Sequence, residues 1–161
     1  MEGVGDHLGQ EDRGAIGSER GRTAPHGLRP VILLDTQVVV WMVARPERLS
    51  RPARRAIERH SRSSSLTIAS VTLMELATLA ARGRLEVRGT PASWLSALLA
   101  EARLRPRDVT PEIAAVAAYM PPGFPSDPFD RLIAATAIVE RMPLVTADVR
   151  IQRSGVVPTI W

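Results

Sequence analysis

Four short apolar runs constrain this chain more than any other feature: "VILLD" (31–35), "SLTIA" (65–69), "PLVTAD" (143–148) and "VVPTIW" (156–161). The first is apolar without interruption until its aspartate, as a strand is when both of its faces are covered. Helix signals fill the gaps between the runs. "TQVVVWMVA" follows the first strand and reads as a helix. Ser50 caps a helix over "RPARRAIERHSR", with Pro52 in its first turn. "TLMELATLAARGRL" is another, stopped near Gly83. Thr90-Pro91 and Thr110-Pro111 open two more, the first with Trp94, Leu95, Leu98 and Leu99 on one face. "PPGFPS" breaks the chain, and Asp127-Pro128 opens the helix "FDRLIAATAIVERM". Strands alternating with helices predict a three-layer α/β/α domain with a mostly parallel central sheet.

A length of 161 residues suits one such domain. Residues 1–30 are rich in glycine and charge and show no apolar periodicity, so they are expected to form a disordered N-terminal extension. The folded domain is expected over 31–161. There is no cysteine, which removes disulfides, zinc–thiolate sites and thiol nucleophiles. All 21 basic residues are arginine. The absence of lysine removes the phosphate-binding loop of nucleotide hydrolases and Schiff-base chemistry. Histidine occurs only at His7, His26 and His60, and the last is expected at an exposed helix end. Catalysis, if any, therefore falls to carboxylates. No stretch is long and apolar enough to span a membrane, and no leader pattern is present, so a soluble, cytoplasmic protein is expected.

The carboxylates are placed for such work. Asp35 ends the first strand and Asp148 a later one, and ligands of open α/β sheets bind beyond the carboxyl ends of strands. Glu75 and Asp130 are expected in the first turns of helices starting near that edge, with Asp127 close by. Each also has a purely structural reading. Thr72-x-x-Glu75 matches a capping box, and Asp127 before Pro128 is a good N-cap. Asp130 suits a helix dipole, and Asp35 and Asp148 suit turns. Clustering separates the two readings. Two such charges about 5 Å apart repel by about 3 kcal/mol at an effective dielectric of about 20. Four at one edge call for a cation, and oxygen-only donors suit Mg²⁺ or Mn²⁺. The matching chemistry is metal-assisted phosphodiester hydrolysis.

"LLDTQVVVW", "SVTLMEL", "MPPGFPSDPFDRLIAATA", "LVTAD" and "GVVPTIW" occur in an order and spacing that resemble the PIN-domain ribonucleases, and within them the VapC-type toxins of toxin–antitoxin modules. The resemblance covers about residues 31–161 and implies a PIN-like domain that cleaves RNA with Mg²⁺ or Mn²⁺. It places the family's acids on Asp35, Glu75, Asp130 and Asp148. Asp35, Asp130 and Asp148 would hold metal, with Asp127 a further contributor and Glu75 orienting metal or water. Thr36, Ser70 and Thr146 would support the site. It also implies a small antitoxin whose flexible segment lies over the acidic groove with an arginine among the carboxylates, and a homodimer. Gln37 stands where many relatives have histidine and Met74 where many have tryptophan. The "GFPS" loop lacks their basic residues.

Seven arginines lie between Arg45 and Arg62 against Glu47 and Glu58. Arg51, Arg54 and Arg55 are candidates for contacting RNA or antitoxin, and a solvated helix face is the alternative. Trp41 and Trp94 are expected to pack. Two competing functions are a PIN-like module that binds RNA or protein without cutting, and a phosphotransfer domain with Asp35 as acceptor. The missing lysine and the "DTQ" triplet argue against the latter.

Overall fold

The computed structural model describes residues 31–63 and 66–161. The expectation for residues 1–30 lies outside the described residues. The order is β1 (Ile32–Leu34), α1 (Thr36–Ala44), a 3₁₀ turn (Pro46–Arg48), α2 (Arg51–Ser61), β2 (Leu66–Ala69), α3 (Val71–Ala81) and α4 (Pro91–Glu101). Then come β3 (Leu104–Arg107), α5 (Pro111–Ala118), α6 (Pro128–Val139), β4 (Leu144–Val145), α7 (Val149–Ser154) and β5 (Thr159–Ile160).

The strands form one sheet in the order β3-β2-β1-β4-β5, and every pairing is parallel. The reason for the uninterrupted apolar character of β1 is visible in its two faces. Ile32 and Leu34 join a core with α1, α2 and α4, whereas Leu33 joins one with α5, α6 and α7. β2 and β4 divide in the same way: Ile68 and Val145 face the first core, Ala69 and Leu144 the second. Two cores on either side of one sheet make the three-layer architecture.

The helix starts are as expected. Ser50 accepts from Ala53 N at 3.2 Å, Thr90 and Ser93 form a reciprocal capping box, and Thr110 accepts from Ile113 N. α3 is followed by Gly83 with φ +66°, a left-handed turn that glycine adopts without strain. Three expectations need correction. The sequence reading had no strand at 104–107, yet β3 pairs with β2 there. It is an edge strand containing Pro106, with little of its surface buried, so it lacks an apolar signature. "PLVTAD" contributes only Leu144–Val145 to the sheet, because the chain leaves it to start α7 at Asp148. His60 is 6% exposed, not at an exposed helix end, and its Nδ1 lies 2.7 Å from Ala56 O. It follows Ala53, Ala56 and Ile57 at helical spacing and so falls on the buried face of α2.

Candidate active site at the carboxyl edge of the sheet

From β1 the sheet grows through β2 to β3 on one side and through β4 to β5 on the other. β1 and β4 therefore flank the point where the winding reverses, where open sheets leave a crevice at their carboxyl ends. Asp35 follows β1 and Asp148 lies just beyond β4. Asp130, in the first turn of α6, and Glu75, on α3, complete the set. All four line one cavity of about 610 Å³, together with Thr36, Gln37, Val40, Trp41, Leu79, Arg84 and Ala147.

Hydroxyls hold the acids in place. Thr146 donates to Asp35 Oδ2 at 2.6 Å and accepts from Asp148 N at 3.1 Å, so one side chain ties the two strand ends together. Thr36 donates to Glu75 Oε2 at 2.5 Å, and its oxygen lies 3.1 Å from that of Thr72. The Thr72-x-x-Glu75 pattern thus makes no capping box. Ser70 is the N-cap, Glu75 lies in the second turn rather than the first, and its partner is Thr36 on another helix. Ser70 bonds Arg107 O through its backbone N–H at 2.8 Å, and its hydroxyl caps nothing. Asp127 does cap α6, accepting from Phe129 N at 2.8 Å and Asp130 N at 3.3 Å.

The carboxylates feel their confinement. Asp35 is 7% exposed, and burial raises its pKa against the Thr146 hydrogen bond that lowers it. Burial also raises Glu75, with the charges of Asp35 and Asp127 adding to the effect. Asp130 is pushed up to about 6, first by burial and then by the charges of Asp35, Asp127 and Asp148. Asp148 moves the other way because Arg150 grips it. Arg150 Nη2 lies 2.6 Å from Asp148 Oδ2 and 3.6 Å from Asp130 Oδ2, while 69% of the side chain stays exposed. The guanidinium stands where a cation is wanted, and it is the chain's own substitute for one.

Among the described residues, no three carboxylates are drawn together tightly enough to clasp a single ion as they stand. The donor chemistry nonetheless fits a hard divalent cation, since the side chains lining the cavity offer carboxylate, hydroxyl and amide oxygens and no sulfur or imidazole. Asp148 would have to exchange Arg150 for the ion. The sequence alone singles out neither Arg150 nor Arg84, and from it Trp41 is expected to pack. Trp41 does pack, with its ring 5.5 Å from that of Trp161, but it also walls the cavity. The Asp148-x-Arg150 spacing at a helix start was the one local hint of the ion pair. Arg51, Arg54 and Arg55 do not line the acid cavity, and Arg54 donates to Pro46 O at 2.6 Å.

A parallel sheet of this order, with acids from four elements facing its switch point, defines a class. The model of the PIN domain matches residues 32–156, and the chain belongs to that family. It is 40% identical over 132 residues to Ribonuclease VapC22 of Mycobacterium tuberculosis, which spans 81% of this chain and 98% of the relative. Among solved structures it resembles VapBC2 from Rickettsia felis bound to a promoter DNA fragment, with a TM-score of 0.62, 20% identity, and 80% and 96% of the two chains covered. A toxin–antitoxin complex from Klebsiella pneumoniae matches with a TM-score of 0.51 and 19% identity over 73% and 86%. At those identities the solved structures bear on the fold alone. No helix of the described residues is long and apolar enough to cross a membrane.

Proposed function

We propose that the chain is an endoribonuclease acting as the toxin of a toxin–antitoxin pair, dependent on Mg²⁺ or Mn²⁺. One observation carries the reading. Asp35, Glu75, Asp130 and Asp148 meet in one cavity, in a chain 40% identical to a ribonuclease. In this reading Asp35, Asp130 and Asp148 hold the metal, and Asp127, which caps α6 and does not line the cavity, can add a ligand only through its free carboxylate oxygen. A divalent ion bound there lowers the pKa of bound water and steadies charge on a phosphate.

The protein's own part is positional. Thr146 fixes Asp35 relative to Asp148, and Thr36 fixes Glu75 so that its free oxygen can orient water. Among the described residues Ser70 makes no side-chain cap, and it ranks below Thr36 and Thr146 as a support of the site. Arg51, Arg54 and Arg55 remain candidates for contact with RNA or antitoxin. The antitoxin and a homodimer are expected partners, the first supported by the VapBC and toxin–antitoxin assemblies whose fold this chain shares. Light scattering of the purified chain tests the dimer.

The deciding experiment is cleavage of total RNA with Mg²⁺ or Mn²⁺, with EDTA and Asp130→Asn as matched controls. Cleavage confined to wild type with metal is the expected result. Cleavage that survives EDTA, or an Asp130→Asn variant at wild-type rate, would sink the site assignment. The grip of Arg150 on Asp148 favours one second reading, a PIN-like module that binds without cutting. RNA binding with no cleavage at saturating Mn²⁺ would support that instead.

A further inference from the structure

α2 carries a second charged feature that the acid site does not use. Between Arg51 and Arg62, five arginines stand against Glu58, a net +4 that equals the net charge of the whole chain. Arg51, Arg55, Arg59 and Arg62 follow at spacings that put them on one face, and all four are exposed. Like charges so spaced destabilise a helix, and Glu58 alone, among the residues of this helix, offsets part of them. The ion pairs among the described residues belong to Arg107 and Arg150. Two open clefts lie between these side chains. One of about 470 Å³ is lined by Arg51, Arg55, Arg59 and Ile160, and one of about 410 Å³ by Arg55, Glu58, Arg59 and Arg62.

The stripe connects to the acid cavity. Ile160 precedes Trp161, whose ring packs on Trp41, and Trp41 walls the cavity. Arg48 lies 4.6 Å above the Trp41 ring. A cavity ringed by four carboxylates repels a polyanion, so affinity for one must come from elsewhere on the surface. A strand leaving the cavity over the tryptophan pair would pass Trp161, whose neighbour in the chain, Ile160, lines the first arginine cleft.

We propose that Arg51, Arg55, Arg59 and Arg62 form a phosphate track holding the single-stranded RNA that flanks the cut bond. The planar guanidinium fork matches phosphate, and such contacts give sequence-independent, salt-dependent affinity. That the polyanion is RNA rests on the ribonuclease reading.

The test is fluorescence anisotropy with a labelled single-stranded RNA long enough to span both features, in EDTA, across a KCl titration. Three proteins are compared: wild type, Arg55→Gln/Arg59→Gln, and the control Arg88→Gln/Arg105→Gln, which loses the same charge elsewhere. The track variant should bind about tenfold more weakly at low salt, and its slope of log Kd against log salt should fall by about 1.4, or about 0.7 per lost phosphate contact. The control should stay near wild type. Equal losses in both double variants, unchanged binding in the track variant, or a wild type that does not bind RNA would each overturn the track. So would a track variant that keeps its RNA slope and loses only an acidic protein partner. Cleavage by wild type with Mn²⁺, run alongside, separates the two ideas. Binding with the expected slope but no cleavage leaves the track standing and removes the ribonuclease. Cleavage with an unaffected track variant does the reverse.

Discussion

The acid cavity and the arginine face of α2 hold charge in opposite ways. In the cavity, four carboxylates come from four elements spread over more than a hundred residues, and three of them are raised in pKa chiefly by burial. On α2, five arginines come from twelve consecutive residues, lie open to solvent and make no ion pairs among the described residues. A charged patch built locally costs little to assemble and is suited to adhesion. A charged patch built from distant segments exists only because folding forces it, and it stores a demand for a counter-ion.

The contrast makes opposite predictions for charge removal. The largest effect is expected for Asp35→Asn, which should lower RNA cleavage by at least about a hundredfold. It should bind RNA at least as tightly as wild type, because a repelling charge is gone. Arginine loss on α2 should weaken binding instead. Weaker RNA binding by Asp35→Asn in an anisotropy titration would break the contrast.

Thr146→Val should come next. It removes the hydroxyl partner of buried Asp35 and of the backbone N–H of Asp148, so unfolding in urea should show a loss of about 2 kcal/mol, with roughly tenfold slower cleavage. Arg150→Gln should tighten Mn²⁺ binding in calorimetry about fivefold, about 1 kcal/mol, since Asp148 and Asp130 lose a competing cation. Weaker binding would mean that Arg150 orients Asp148 for the metal.

The pH dependence is a subtler measure. Asp35, Glu75 and Asp130 are raised, Asp130 to about 6, so the metal-free folded protein keeps protons that the unfolded chain releases near pH 4. Stability on their account is greatest below the unfolded carboxylate range and is lost as pH rises through the folded values, for Asp130 by about pH 6. Asp148, being lowered, works the other way and loses its contribution as pH falls below about 4. The shift of Asp130 alone corresponds to about 1 kcal/mol after discounting for its half-exposed position. Melts in EDTA at pH 5 and pH 7.5 should show the difference, and Asp130→Asn should shrink it.

The same division governs what could be read from the sequence. Ser50, Thr90, Thr110 and Asp127 were legible because a cap is a contract between neighbours. β1 was legible because both its faces are buried. β3 was not, since an edge strand with Pro106 has no apolar pattern to display. α7, with six residues, is too short for periodicity. The identities of the four acids came from motif spacing and strand ends, but their shared cavity is a fact of sheet order. Glu75 shows the hazard: its local pattern announced a cap, and its partner turned out to be Thr36, 39 residues away. His60 shows a missed signal, because its spacing from Ala53, Ala56 and Ile57 already placed it inside.

The pairing of β1 with β4 has a consequence for the time at which the acid site comes into being. Thr146 reaches back 111 residues to hold Asp35. During synthesis, Asp35 and Glu75 leave the ribosome long before β4, the strand that leads into Asp148, has been made. The intermediate chain has half a set of acids and no wall on one side of them. Long-range parallel pairing is also slow to form. The acid set is therefore incomplete until β4 pairs with β1 and brings Thr146 and Asp148 to Asp35. That interval is the one in which a partner could meet it before it meets any substrate.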